Sequence, residues 1–154
     1  GWGPQQNGYL FAFIGFLAAL IQGGLMGRLA KRFGVEHLIL AGALALTAGL
    51  ALVPFVTTVP QLVGAMTLAA LGFSITTPAL NTAISVRGGS DVQGGLMGVT
   101  RSATTLSRMI GPAIAGATFG YFGINTPYIS GAALMLLVAI LAYRALIWRP
   151  GNKT

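Results

Sequence analysis

The chain has 154 residues, 55% of them hydrophobic and only 7% charged, with a mean hydropathy of +0.79. A soluble domain carries about 25% charged residues, so this composition belongs to an integral membrane protein. The net charge of +7 does not indicate nucleic acid, because the cations are spread over loops and helix ends with no aromatic interleaving, and basic membrane flanks account for them. Without cysteine there is no disulfide framework, thiol chemistry or thiolate metal site.

The sequence begins Gly1-Trp2-Gly3-Pro4 with no initiator Met and lacks the basic start and small-residue cleavage site of a signal peptide. It reads as a piece of a longer protein. The fold class expected is all-α, a polytopic bundle of five membrane-spanning helices forming one transmembrane domain over residues 1–154. About 20 apolar residues cross a bilayer core, and the spans fall at approximately 8–29, 37–56, 61–85, 94–122 and 126–148. Asn7 is the expected cap of the first, and Thr126-Pro127 opens the fifth as a cap followed by proline at the first helical position. Runs this long without two-residue alternation fit helices rather than strands.

Between the first two spans lies a short basic stretch, Gly27-Arg28-Leu29-Ala30-Lys31-Arg32-Phe33-Gly34, which reads as a turn in the lipid headgroups. An Arg or Lys at the bilayer centre costs about 2.5–3.5 kcal/mol on insertion scales. Arg87 precedes the fourth span, Arg101 lies just inside it, and Arg149 and Lys153 follow the fifth. Residues 1–7, 57–60 and 123–125 contain no Lys or Arg. This alternation predicts an outer amino terminus and a cytoplasmic carboxyl terminus. Trp2, Phe55, Tyr121 and Tyr128 are then outer interfacial anchors, and Phe33, Tyr143 and Trp148 inner ones. Gly23/Gly27, Ser107/Gly111/Ala115 and Gly116/Gly120 are small-xxx-small patterns expected at helix contacts, and Gly42, Gly49 and Gly64 are assigned to packing.

Polarity sorts the spans. The second and fifth are apolar all round apart from Thr47 and Ser130, which predicts that they face lipid. The third carries Thr67, Ser74, Thr77, Asn81 and Ser85 along one helical face, interrupted by Pro78, which frees a backbone carbonyl. The hydroxyls fit interhelical bonding or a cavity lining equally; Asn81 leans to the lining, because a primary amide is costlier to hide from water. The fourth span carries Arg101, Thr104, Thr105 and Arg108 on one face, then Gly111-Pro112. Arg101 sits near the cytoplasmic interface and Arg108 two turns deeper. No acid lies within a span, since Glu36 and Asp91, the two in the chain, fall in loops. Arg108 therefore meets a carboxylate on helices outside this chain, meets an anionic ligand, or snorkels back to the surface. Gln22 is the strongly polar group of the first span, bonded to a neighbouring helix or lining a cavity. His37 reads as interfacial and has no partners for a metal site.

Catalytic arrangements are missing: there is no intramembrane carboxylate pair, Ser-His-Asp set or phosphate loop, so an enzyme is not expected, nor a cofactor or metal. Taken together, Trp2-Gly3-Pro4-Gln5-Gln6-Asn7-Gly8, the basic stretch 27–34, Thr77-Pro78-Ala79-Leu80-Asn81 and Arg108-Met109-Ile110-Gly111-Pro112 resemble the carboxyl-terminal half of a major facilitator superfamily transporter. The resemblance runs from the eighth helix to the twelfth and is nearest to the tetracycline-type and related drug exporters. It implies a two-half carrier working by alternating access, with a small-molecule substrate held between the halves near the midplane. It further implies the lipid bilayer and the missing amino-terminal half as partners, a proton-coupled export of drugs or small metabolites, and a cell-membrane location. Gln22, Thr77, Asn81, Thr104 and Arg108 would line the cavity, and Gly27, Arg28, Lys31, Arg32 and Gly34 would form part of a cytoplasmic gate. Two departures argue against a charge relay in that gate: Lys31 stands where the stronger copy of this signature has an acid, and Glu36-His37 stand where a basic pair is usual. The alternative function is a small five-helix membrane scaffold or regulatory subunit without transport activity.

Overall fold

A computed structural model describes residues 3–87 and 93–147, with the side chains of Arg87 and of residues 145–147 excepted. The placements expected for Trp2, Asp91, Trp148, Arg149 and Lys153 lie outside the described residues, as does the Arg87 side chain. All regular structure among the described residues is helical: α1 Pro4–Leu20, a π turn Ile21–Leu25, α2 Met26–Phe33, α3 Val35–Leu52, a 3-10 turn Val53–Phe55, α4 Val59–Arg87, α5 Gln93–Phe122 and α6 Thr126–Ile147. Four of the resulting units, Pro4–Phe33, Val35–Phe55, Val59–Val86 and Thr126–Arg144, are long and apolar enough to cross a membrane. α5 has the length, at 30 residues, but its Thr, Ser, Gly and Arg content keeps it below that apolar threshold, so the expected count of five spans is approximate.

The first span differs from its expected form at both ends. It begins at Pro4 rather than near Gly8, with Gly3 and not Asn7 as the cap; the Gly3 N–H donates to Gln6 Oε1 at 2.9 Å, and proline suits the first helical position because its missing donor is not needed there. At the other end the basic stretch is not a loop. Arg28, Lys31 and Arg32 ride on α2, and the chain reverses at Gly34 alone, whose φ of 79° and ψ of 152° suit only glycine. Leu29, Ala30, Lys31 and Arg32 are good helix formers, so the helix runs on until a residue that can break it. Glu36 and His37 consequently fall in the first turn of α3. Between α1 and α2 the Met26 N–H donates to the Ile21 carbonyl, five residues back. That extra residue brings Ile21 and Met26, both buried, onto one face.

α3 is the hub, packed between α4 and α6 and touched by α2. The expectation that the second span faces lipid holds only for a stripe of Ala41, Leu44, Ala48 and Leu52, which are exposed, while Leu38, Ile39, Gly42, Ala43 and Gly49 are buried. Uniform apolarity could not show this, because a neighbouring helix and a lipid tail are equally apolar. The α3–α4 contact is made backbone to backbone through Gly42, Gly49 and Gly72. A Cβ on Gly49 would lie 2.5 Å from the Ala69 nitrogen, and one on Gly72 would lie 2.5 Å from the Gly42 carbonyl oxygen. By contrast, a Cβ on Gly23, Gly27, Gly64, Gly111, Gly116 or Gly120 would meet nothing within 4 Å. The small-xxx-small patterns are thus not contact sites among the described residues.

α1 lies against α4, and α5 against α4 and α6. The turn before α6 also differs from expectation. The Thr126 hydroxyl donates to the Phe122 carbonyl at 2.9 Å, closing α5 instead of capping α6, and the Asn125 carbonyl accepts from Ile129 N–H at 3.2 Å.

Candidate functional site

Serine and threonine in a helix can donate to a carbonyl one turn back and so satisfy themselves. Thr47, Thr67, Thr76 and Thr82 do so with the carbonyls of Ala43, Val63, Gly72 and Pro78, at 2.7–2.9 Å. The expected polar face of α4 accordingly divides. Ser74 is buried, Thr67 is half-buried and self-bonded, and Ser85 ties the helix to the start of α5, accepting from Gln93 Nε2 at 2.8 Å on its hydroxyl and 3.2 Å on its carbonyl. Thr77 and Asn81 remain exposed and turn toward α5.

Between α4 and α5 those two side chains open onto a cavity of about 540 Å³ whose other walls are Met97, Thr100, Arg101, Thr104, Thr105 and Arg108. The α5 residues recur at three and four positions, one face over three turns. Thr100 and Thr104 donate their hydroxyl protons to the Leu96 and Thr100 carbonyls, both at 2.8 Å, leaving their oxygens as acceptors. Among the described residues Arg101 and Arg108 have no ion-pair or hydrogen-bond partner, and the lining contains no carboxylate. α5 is about 45 Å long, and Arg108 lies about 22 Å from its Gln93 end, halfway along.

The structure therefore brings Thr77, Asn81, Thr104 and Arg108 together, with Arg101 and Thr105 beside them. Gln22 is apart. It is exposed in the π turn, which packs against α4 and not against α5, and is not a wall of this cavity. Gly27, Arg28, Lys31, Arg32 and Gly34 are likewise outside the cavity, and Arg32 lies over the Phe33 ring, 5.5 Å from its centroid. Met97 and Thr100 are walls that sequence reasoning passed over; Met97 stands four residues before Arg101 and Thr100 four before Thr104, and that spacing was the available signal. A second cavity of about 370 Å³, where α3, α4, α5 and α6 meet, is almost wholly apolar, walled by Ile39, Leu80, Ile84, Leu96, Val138 and others, with Glu36 at its edge. No group of His, Asp and Glu among the described residues could hold a metal ion.

A family model described as Major Facilitator Superfamily matches residues 1–153. The chain is 33% identical over 156 residues to the tetracycline resistance protein, class C, of Escherichia coli, a match covering 99% of this chain and 39% of that protein. To the class E protein of the same organism it is 39% identical over 113 residues, covering 73% of this chain and 28% of that protein. It is also 31% identical over 155 residues to solute carrier family 22 member 18 of Rattus norvegicus, covering 96% of this chain and 36% of that protein. The chain thus spans at most 39% of the length of these three relatives. No solved structure matches it significantly. A match along almost the whole chain, on helices of this length and apolarity, makes this an integral membrane protein of a transporter family and not an enzyme: the chain belongs to the Major Facilitator Superfamily.

Proposed function

We propose that this chain forms the carboxyl-terminal part of a secondary active transporter that exports drugs or small metabolites, driven by the proton gradient, by alternating access. The observation that carries the reading is the polar cavity between α4 and α5, whose α5 wall runs from Met97 near the helix start to Arg108 at half its length. Ionisable residues at such depth face a cavity or a bundle interior, and family members place substrate between their two halves near the midplane. The names of the tetracycline resistance relatives support drug export. Thr77, Asn81, Thr104 and Arg108 bind the substrate from this side, and residues of the preceding half close the site. The lining holds no carboxylate, so the coupling acid belongs to the parts of the carrier outside this chain.

The amino terminus of the segment lies outside and its carboxyl terminus in the cytoplasm, since Arg28, Lys31, Arg32 and Arg144 then share the cytoplasmic side. α2, hinged on Gly34, contributes to the cytoplasmic gate.

The test is tetracycline flux into inside-out vesicles holding the intact carrier, with an imposed pH gradient and with a protonophore. Gradient-dependent uptake abolished by the protonophore supports the reading. The Asn81→Ala carrier should insert normally and transport several-fold more slowly, because a neutral hydrogen bond contributes about 0.5–1.5 kcal/mol. Uptake indifferent to the gradient would refute proton coupling.

A further inference from the structure

We infer that the cavity between α4 and α5 recognises an oxyanion, a carboxylate or phosphate group carried by the substrate. Arg108 holds that group, and Arg101 draws it in from the cytoplasmic end. This deepens the transporter reading and rests on it.

The argument is a count of donors and acceptors around one space. Two guanidiniums, each with five N–H donors in a planar fork, line it without a protein partner among the described residues. The Thr77 and Thr105 hydroxyls and the Asn81 amide add donors. The lining acceptors are the Thr100 and Thr104 oxygens, whose protons are already engaged, and the Asn81 carbonyl. None of them is charged. A site with two fixed cations and no carboxylate is complementary to an anion and repels a cation. Thr100 and Thr104, with their protons engaged, offer the anion nothing, so its contacts fall to the two guanidiniums, Thr77, Thr105 and the Asn81 amide. The two arginines are seven residues apart, two turns or about 10.5 Å along the helix, so one compact oxyanion is gripped by one fork at a time. Arg108, halfway along α5, is the deeper of the two, and a guanidinium can engage a carboxylate in bidentate fashion. Arg101, two turns nearer the helix start, supplies field along the approach.

The same carboxylate chemistry could reach Arg108 from a side chain of the carrier's other half, and the test separates the two sources. The intact carrier in detergent is treated with phenylglyoxal, which modifies accessible arginines, and the modified positions are followed by mass spectrometry. Salicylate is added as the anionic probe and salicylamide as its neutral counterpart. Expected is a several-fold slower modification of Arg108 with salicylate and no change with salicylamide. In Arg101→Gln carriers, half-protection should need at least threefold more salicylate, the difference growing as ionic strength falls. In equilibrium dialysis of the purified carriers, Arg108→Lys should bind salicylate more tightly than Arg108→Gln, which should lose at least tenfold, the range expected for a hydrogen bond to a charged group. Equal protection by both probes, or by neither, overturns the assignment. Arg108 that resists modification before any probe is added overturns it as well, since a carboxylate of the protein then already occupies the fork. Labelling requires no flux, so these outcomes stand apart from the vesicle assay: a carrier with no gradient-driven tetracycline uptake can still show protection, and one that transports tetracycline without protection loses only the anion site.

Discussion

Replacing Gly72 by alanine should destabilise the carrier far more than adding the same methyl at Gly64. The new Cβ would be 2.5 Å from the Gly42 carbonyl oxygen, 2.9 Å from the Leu46 Cα and closer still to the Leu46 nitrogen. Ordinary contact begins near 3.4 Å, so α3 and α4 would have to separate by about 1 Å. Every atom met is backbone, and no rotamer change relieves the clash. Overpacking of a well-packed core costs about 1–3 kcal/mol, and the upper end applies here, because Gly42, Gly49 and Ala69 are drawn apart together. Gly64 in the same helix is the control: a Cβ there meets nothing within 4 Å, and alanine is the better helix former by about 0.8–1 kcal/mol. Unfolding of the purified carrier followed by circular dichroism should therefore give Gly72→Ala a clearly lowered midpoint and Gly64→Ala an unchanged or raised one. Equal midpoints for the two variants would refute the backbone-to-backbone contact as the organising feature of α3 and α4.

Gly34→Val should cost about 1–3 kcal/mol, because the backbone conformation at φ 79° excludes a branched side chain; the same unfolding assay reads it. This segment has no cysteine, so in a carrier with any cysteine elsewhere replaced, single cysteines at the exposed Ile124 and Phe33 can report topology, with Ile124→Cys reacting with an impermeant maleimide in intact cells and Phe33→Cys only after permeabilisation. Deleting Gly24 should leave the midpoint nearly unchanged, since Ile21 and Met26 would then be four residues apart and share a face as in a regular helix; deleting Ala18 rotates everything after it by about 100° against α4 and should abolish folded protein on size-exclusion chromatography.

The spans were legible because apolar runs bounded by Gly, Pro and cations admit little else. Their neighbours were not. Gly42, Gly49 and Gly72 pack backbone to backbone while Gly23, Gly27, Gly111 and Gly120 do not, although the latter fit the motif better. Spacing tells which face of a helix can be approached closely, and only the rest of the fold supplies what approaches. The same holds for α3, whose apolar surface carried no mark distinguishing a helix contact from lipid. For the basic stretch the reason is local: two flanking glycines look alike as loop boundaries, but Gly27 costs a helix only about 1 kcal/mol, and the positive φ of Gly34 is the true stop.

The cavity residues were more legible, for a reason that also separates scaffold from site. Serine and threonine in a membrane helix carry little information, because a carbonyl one turn back satisfies the hydroxyl wherever the side chain points; Thr47 against the core and Thr118 on α5 bond in the same way as Thr100 and Thr104 in the cavity wall. Asparagine and arginine have no such recourse, since an amide has donors and an acceptor to place and a guanidinium has five donors. In an apolar helix they need a wet or charged partner, so Asn81, Arg101 and Arg108 mark the cavity where the threonines only accompany it. Gln22 obeys the same rule in sequence and departs from it in space, because its span packs against α4 and does not reach the α5 wall.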